Sequence, residues 1–149
     1  MRFGPRRLGL FLALALAAWQ LGGAGYIEAK AWLAQELLER AWDQAQHDGA
    51  AVKPWPWADT APVARLGVAR LGIERIVLAG DSGRTLAFGP AWNEGSAKPG
   101  EHGTVVISGH RDTHFAFLRE LHADDLVTLD AGQGTRTYRV ASVEIVDAR

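Results

Sequence analysis

The chain has no cysteine. That excludes disulfides, thiolate metal sites and a thiol nucleophile within these residues. It leaves the compartment open, since many envelope proteins also lack disulfides. An excess of either charge is missing as well: sixteen basic and seventeen acidic side chains give a net charge of −1. With no basic surplus to neutralise a phosphate backbone, nucleic-acid binding has no electrostatic support. No internal repeat is apparent. The 149 residues are room for about one domain, and 48 % apolar with 22 % charged content is ordinary for a globular chain.

Polar residues are scarce at the N-terminus. Arg2, Arg6 and Arg7 precede an apolar run, Leu8–Ile27, in which Gln20 is the only strongly polar residue. A helix of that length would cross a hydrocarbon core of ~30 Å. The arginines would stay cytoplasmic, which places the rest of the chain outside. A cleaved signal peptide is the competing reading, with small residues at Ala15–Ala18, and a buried core helix is a third. The first two readings both export the chain.

Glycine and proline are absent between Tyr26 and Gln46, where Ala, Leu, Glu and Gln dominate. This predicts a continuing helix, partly amphipathic through Trp32, Leu33, Glu36, Leu37 and Arg40. It serves as a juxtamembrane stalk or as an ordinary packed helix, and Asp48-Gly49 ends it. Pro54, Pro56 and Pro62 then forbid helix and favour extended chain. Trp55 and Trp57 in this linker dock on a membrane or pack on the domain's flank. The resulting partition is a membrane anchor over residues 1–27, a juxtamembrane helix over 28–47, a Pro/Trp linker over 48–62 and a β domain over 63–149.

In that last segment short apolar runs alternate with glycine breaks. Strands are predicted at Val63–Ala69, Ile73–Ala79, Thr104–Ser108, Leu126–Leu129 and Arg136–Val146, with a short helix at Thr113–Leu121. The spacing suggests a small, mainly β barrel. The last apolar strand lacks a partner in the sequence. Because a barrel must close to hide its edges, closing strands are expected to be missing.

The strand ending at Ser108 delivers a Gly109-His110 pair at its C-terminal end. Glycine there permits a sharp turn or a close approach. The imidazole then sits at the barrel rim, where histidine serves either as acid–base group or in a plain hydrogen-bonding role. His114 follows four residues later, which on a helix would share a face with His110 and invite a metal. A zincin helix needs Glu where Arg111 stands, so no metal is assigned, and His114 is expected to line or flank the cleft. Asp112 is expected to cap the 113–121 helix, a role compatible with orienting His110 or Arg111. Ser108 reads as a strand residue rather than a nucleophile. Glu120, Asp124, Asp125 and Asp130 read as solvated turn charges.

Three segments, Leu66–Ile73, Leu86–Pro90 and Pro99–His110, resemble the sortase family, the cysteine transpeptidases of the bacterial cell envelope. Leu66-Gly67-Val68-Ala69-Arg70-Leu71-Gly72-Ile73 is similar to the family's opening strand, and Leu86-Ala87-Phe88-Gly89-Pro90 to its "L-x-x-G-P-G-H" turn. Pro99–His110 is similar to its "P-G-x-x-G-N-x-V-I-A-G-H-R" segment. His110…His114, with the Arg-rich N-terminus, points to the Gram-negative, class D-like branch. The resemblance implies an incomplete sortase β-barrel from about Val63, with His110 as catalytic histidine and Arg111, Asp112 and His114 as candidates for the substrate cleft. It implies a protein substrate bearing a sorting signal, an amine acceptor, no cofactor, and a single-pass location on the bacterial inner membrane with the domain outside the cytoplasm.

The chain departs from the family in two respects. The family's "T-L-x-T-C" cysteine and a later arginine have no counterpart here, so Arg111, Arg119, Arg136, Arg139 and Arg149 are not assigned to the missing arginine. The "G-P-G-H" turn reads Gly89-Pro90-Ala91-Trp92. The 149 residues alone are therefore expected to be inert. The rival expectations are a catalytically silent module that binds an extended peptide beside a β edge, and a non-functional fragment with too small a core to fold.

Overall fold

A computed structural model describes residues 29–146. The apolar run on which the anchor expectation rests lies outside them. Among the described residues no helix is long and apolar enough to cross a membrane. The chain divides into two units, Met1–Gln35 and Glu36–Arg149. The described residues open with helix α1 over 29–48, so the boundary between the units falls inside it. Gly49 ends α1 in a left-handed turn (φ 67°), and its N–H reaches the Ala45 carbonyl at 3.0 Å. This is the way a C-terminal glycine closes a helix without a Cβ penalty.

The second unit is built on one six-stranded sheet. Its strands are β1 (Pro62–Val68), β2 (Ile73–Ala79), β3 (Ala91–Trp92), β4 (Ile107–Ser108), β5 (Leu126–Asp130) and β6 (Thr135–Arg139), in the order β4-β3-β2-β1-β5-β6. Every neighbouring pair is antiparallel except β2–β3. A four-residue helix, α2 (Gly83–Leu86), stands between β2 and β3, its first turn held by Ser82 accepting from the Thr85 N–H. β1 alternates buried and half-buried along its whole length, as a strand with one covered face should.

The two sheet faces are covered differently. On one, Ala64, Leu66, Val68, Val77, Trp92, Phe115, Phe117 and Leu129 form the larger core. On the other, Leu38 and Trp42 of α1 pack against Ile76, Leu78 and Ala91. Arg65, paired with Ile76 in the ladder, turns to the α1 side and meets Glu39 at 2.6 Å and Asp43 at 3.4 Å.

The linker packs down for part of its length. Trp55 sets its ring edge-on to Phe88 at 5.0 Å, and the Thr60 hydroxyl donates to the Ala79 carbonyl at 2.7 Å. Trp57 is 83 % exposed, so the two tryptophans have separate environments.

Several expected elements differ in extent. The strand before His110 is two residues long rather than five, because residues 104–106 belong to a looped excursion in which Ala97 N–H reaches the Thr104 carbonyl. β6 ends at Arg139. The helix expected over 113–121 is a turn followed by a 3-10 segment, Ala116–Glu120.

Asp125 is not a solvated turn charge. Arg70 grips it with two donors, Nε to Oδ1 at 2.6 Å and Nη2 to Oδ2, while the His122 N–H adds a third at 2.8 Å. The guanidinium, and then that backbone N–H, hold the Asp125 carboxyl at about 2, down from 3.8. A folded-state value below the unfolded one favours the folded chain wherever the group is ionised. The contribution is complete above the ordinary carboxylate range and is lost as pH falls from 3.8 to about 2. Urea midpoints measured across that window should fall for the wild type. For Asp125→Asn they should start lower and fall less, and parallel curves would refute the role.

Candidate active site

β4 brings the chain to His110. Its two residues pair only with β3, Ala91 with Ser108 and Trp92 with Ile107, so among the described residues the outer edge of β4 is unpaired. Gly109 then passes directly beneath the Phe115 ring, where a Cβ would lie 2.7 Å from Cδ2. Glycine is there for close approach. The chain next turns tightly on one acceptor: the His110 carbonyl receives the Thr113 N–H at 3.3 Å and the Phe115 N–H at 3.0 Å. Phe115 and Phe117 meet edge to face at 5.8 Å and anchor the turn in the core. The His110 residue itself is exposed at the end of β4.

The other expected site residues separate into two groups. Arg111 and Asp112 are exposed and face solvent together, with Nε to Oδ1 at 3.5 Å and a second guanidinium, Arg119, 3.6 Å from the same oxygen. Asp112 does not cap the following helix. The tight turn on the His110 carbonyl delays the 3-10 segment to Ala116, its cap position is Phe115, and no side chain bonds there.

His114 is half-buried and turned inward. Burial lowers its pKa, a hydrogen bond to the Ala87 backbone raises it, and Arg75 and His110 lower it further. Among the described residues no three His, Asp or Glu side chains converge as a metal site would require. Of the arginines set aside by the sequence, Arg136 donates to the Gly100 carbonyl at 2.8 Å and Arg139 pairs with Asp124 at 3.2 Å.

Asp81 was not singled out as a site residue from the sequence, where Asp81-Ser82-Gly83 reads as a turn. In the fold the Asp81 Oδ2 accepts from the Asn93 amide at 2.9 Å and from the Ser108 hydroxyl at 3.2 Å. No local signal reports this, since the partners are 12 and 27 residues away. An open apolar groove is lined by Leu66 of β1, Val105, Ile107 of β4, Val127 and Leu129 of β5, and Tyr138 of β6. An exposed imidazole is suited to exchange protons with groups that reach it.

Residues 66–149 match the family model described as the sortase domain. The chain is 33 % identical over 82 residues to Sortase D of Bacillus subtilis, which covers 55 % of this chain and 41 % of that protein. It therefore spans about two-fifths of that curated relative. Sortase E from Streptomyces avermitilis is 29 % identical with a TM-score of 0.51, covering 54 % of this chain and 57 % of that one. The Clostridium perfringens Sortase D5 transpeptidase superposes with a TM-score of 0.58 over 74 % of this chain and 72 % of its own, at 16 % identity, a likeness of fold alone.

Proposed function

Because the chain belongs to the sortase family, whose members are cysteine transpeptidases, we propose that His110 is the acid–base group of a peptide-bond cleavage and transfer reaction. The supporting observation is that His110 is exposed just past the end of β4, the edge strand of the described sheet. In this reading a thiolate from outside these residues attacks the carbonyl carbon of a sorting-signal peptide bond. The C–N bond breaks, and imidazolium His110 protonates the departing amine. An incoming amine then attacks the thioester, gives its proton to the neutral imidazole and releases the thiolate. Splitting one hard step into two in this way is what covalent catalysis achieves. Arg111, Asp112 and His114 flank the cleft, and the N-terminal apolar run holds the domain on the outer side of the bacterial inner membrane.

The 149 residues contain no cysteine, so alone they should give no transfer product with any sorting-signal peptide and amine. Fused to the cysteine- and arginine-bearing C-terminal portion of a sortase, they should give product. His110→Ala in the fusion should lower kcat/KM by about 10²–10⁴-fold. A fusion equally active with alanine there would sink the assignment.

The position of β4 at the edge of the described sheet also suits a silent module that binds an extended peptide. Peptide binding by the unfused chain, combined with an inert fusion, would select it.

A further inference from the structure

The strands that present His110 share short ladders, flanked by the Leu78 N–H to the Pro90 carbonyl and the Asn93 N–H to the Val106 carbonyl, each at 2.9 Å. β3 and β4 share a two-residue ladder, and β2 meets β3 through two register pairs, Leu78 with Ala91 and Ala79 with Trp92. The three strand ends converge on one carboxylate. Asp81 follows Gly80, whose left-handed backbone (φ 73°) closes β2 and whose N–H reaches the Trp92 carbonyl at 3.1 Å. From there the Asp81 Oδ2 takes the Asn93 amide, one residue past β3, and the hydroxyl of Ser108, the last residue of β4 and two before His110. Both bonds are made to one charged acceptor, and charge-assisted bonds are the stronger kind.

We infer that Asp81 is a positioning residue for His110: by clasping Ser108 and Asn93 it fixes where β4 ends, and so where Gly109 and His110 leave the sheet. The functional weight of this inference rests on the acid–base reading of His110. The carboxyl, held below its ordinary range first by the Asn93 amide and also by Ser108, is in the form the clasp requires.

The Phe115 amide reports on the clasp, because it donates to the His110 carbonyl. In the full chain, Asp81→Ala and Ser108→Ala should each speed Phe115 hydrogen exchange about tenfold and shift the His110 imidazole resonances. Amides of the β1–β2 ladder should keep their protection. Asp81→Asn, which retains an acceptor oxygen, should recover part of the effect. The double variant should be no faster than Asp81→Ala alone, since that substitution already removes the Ser108 bond together with the Asn93 one.

Unchanged exchange and unchanged imidazole resonances in Ser108→Ala would overturn the inference. So would a loss of protection spread evenly over the sheet, which marks general destabilisation. If Asp81→Ala does not fold, Ser108→Ala decides alone. These readouts need no turnover, so their failure is distinguishable from failure of the acid–base reading, which the fusion tests.

Discussion

Replacing Gly109 by alanine is expected to cost about 1–3 kcal/mol of stability, the usual range for forcing extra volume into a packed core, and to displace His110. The new Cβ would lie 2.7 Å from Phe115 Cδ2 and 2.9 Å from Cε2 and Cγ, closer than real contacts allow. Phe115 cannot simply withdraw. It is 9 % exposed, belongs to the main core and has Phe117 packed edge-on against it. The strain must move either the aromatic pair or the end of β4, and both carry the histidine turn. Urea denaturation gives the first number and the His110 imidazole resonances give the second. The cost should shrink when Phe115 is first replaced by leucine, because residues in contact are not additive. A Gly109→Ala protein with wild-type stability and unshifted His110 signals would show that the close approach does not constrain the turn.

A larger loss, about 3–5 kcal/mol, is expected for Trp42→Ala. Trp42 is 4 % exposed and joins Leu38, Ile76, Leu78 and Ala91 in the core between α1 and the sheet. The Arg65 guanidinium carbon also stands 6.0 Å from its ring centroid, within cation–π range. Removing the indole leaves a cavity and takes away one face of Arg65's surroundings. The ion pairs of Arg65 with Glu39 and Asp43 do not substitute for it. All three side chains are partly exposed, and such pairs contribute about 0–1 kcal/mol. Arg65 Nε is buried without a hydrogen-bond partner, which adds a cost on the polar side. Glu39→Gln should therefore move the urea midpoint far less than Trp42→Ala. The reverse order would mean that charge rather than apolar packing holds α1 to the sheet.

The same contrast separates what sequence reading found from what it missed. Long alternating runs were readable. Ile73–Ala79 was expected with those bounds, and the first and fifth strands were placed within a residue of where they lie. The end of α1 was readable from Asp48-Gly49. The exposed position of His110 just past a strand was readable because a strand followed by Gly-His is a local pattern, and the sortase resemblance was carried by contiguous residues. Periodicity and motifs of this kind are properties of a few adjacent side chains.

β3, with two residues, has too little length to show a period, and its existence depends on β2 and β4 lying on either side. The Asp112 cap failed because the His110 carbonyl captured two N–H groups and delayed the helix. Asp125 was misread because its partner, Arg70, is 55 residues away in sequence.

By itself, then, the sequence determined the alternation that makes a β sheet, the family, and the histidine at a strand's end, all set by neighbouring residues. Only the tertiary structure decided which carboxylates are gripped, which glycine meets an aromatic ring and which strand lies at the edge of the described sheet. Those depend on groups that meet only after β1 has settled between β2 and β5, and no local pattern encodes a meeting of that kind.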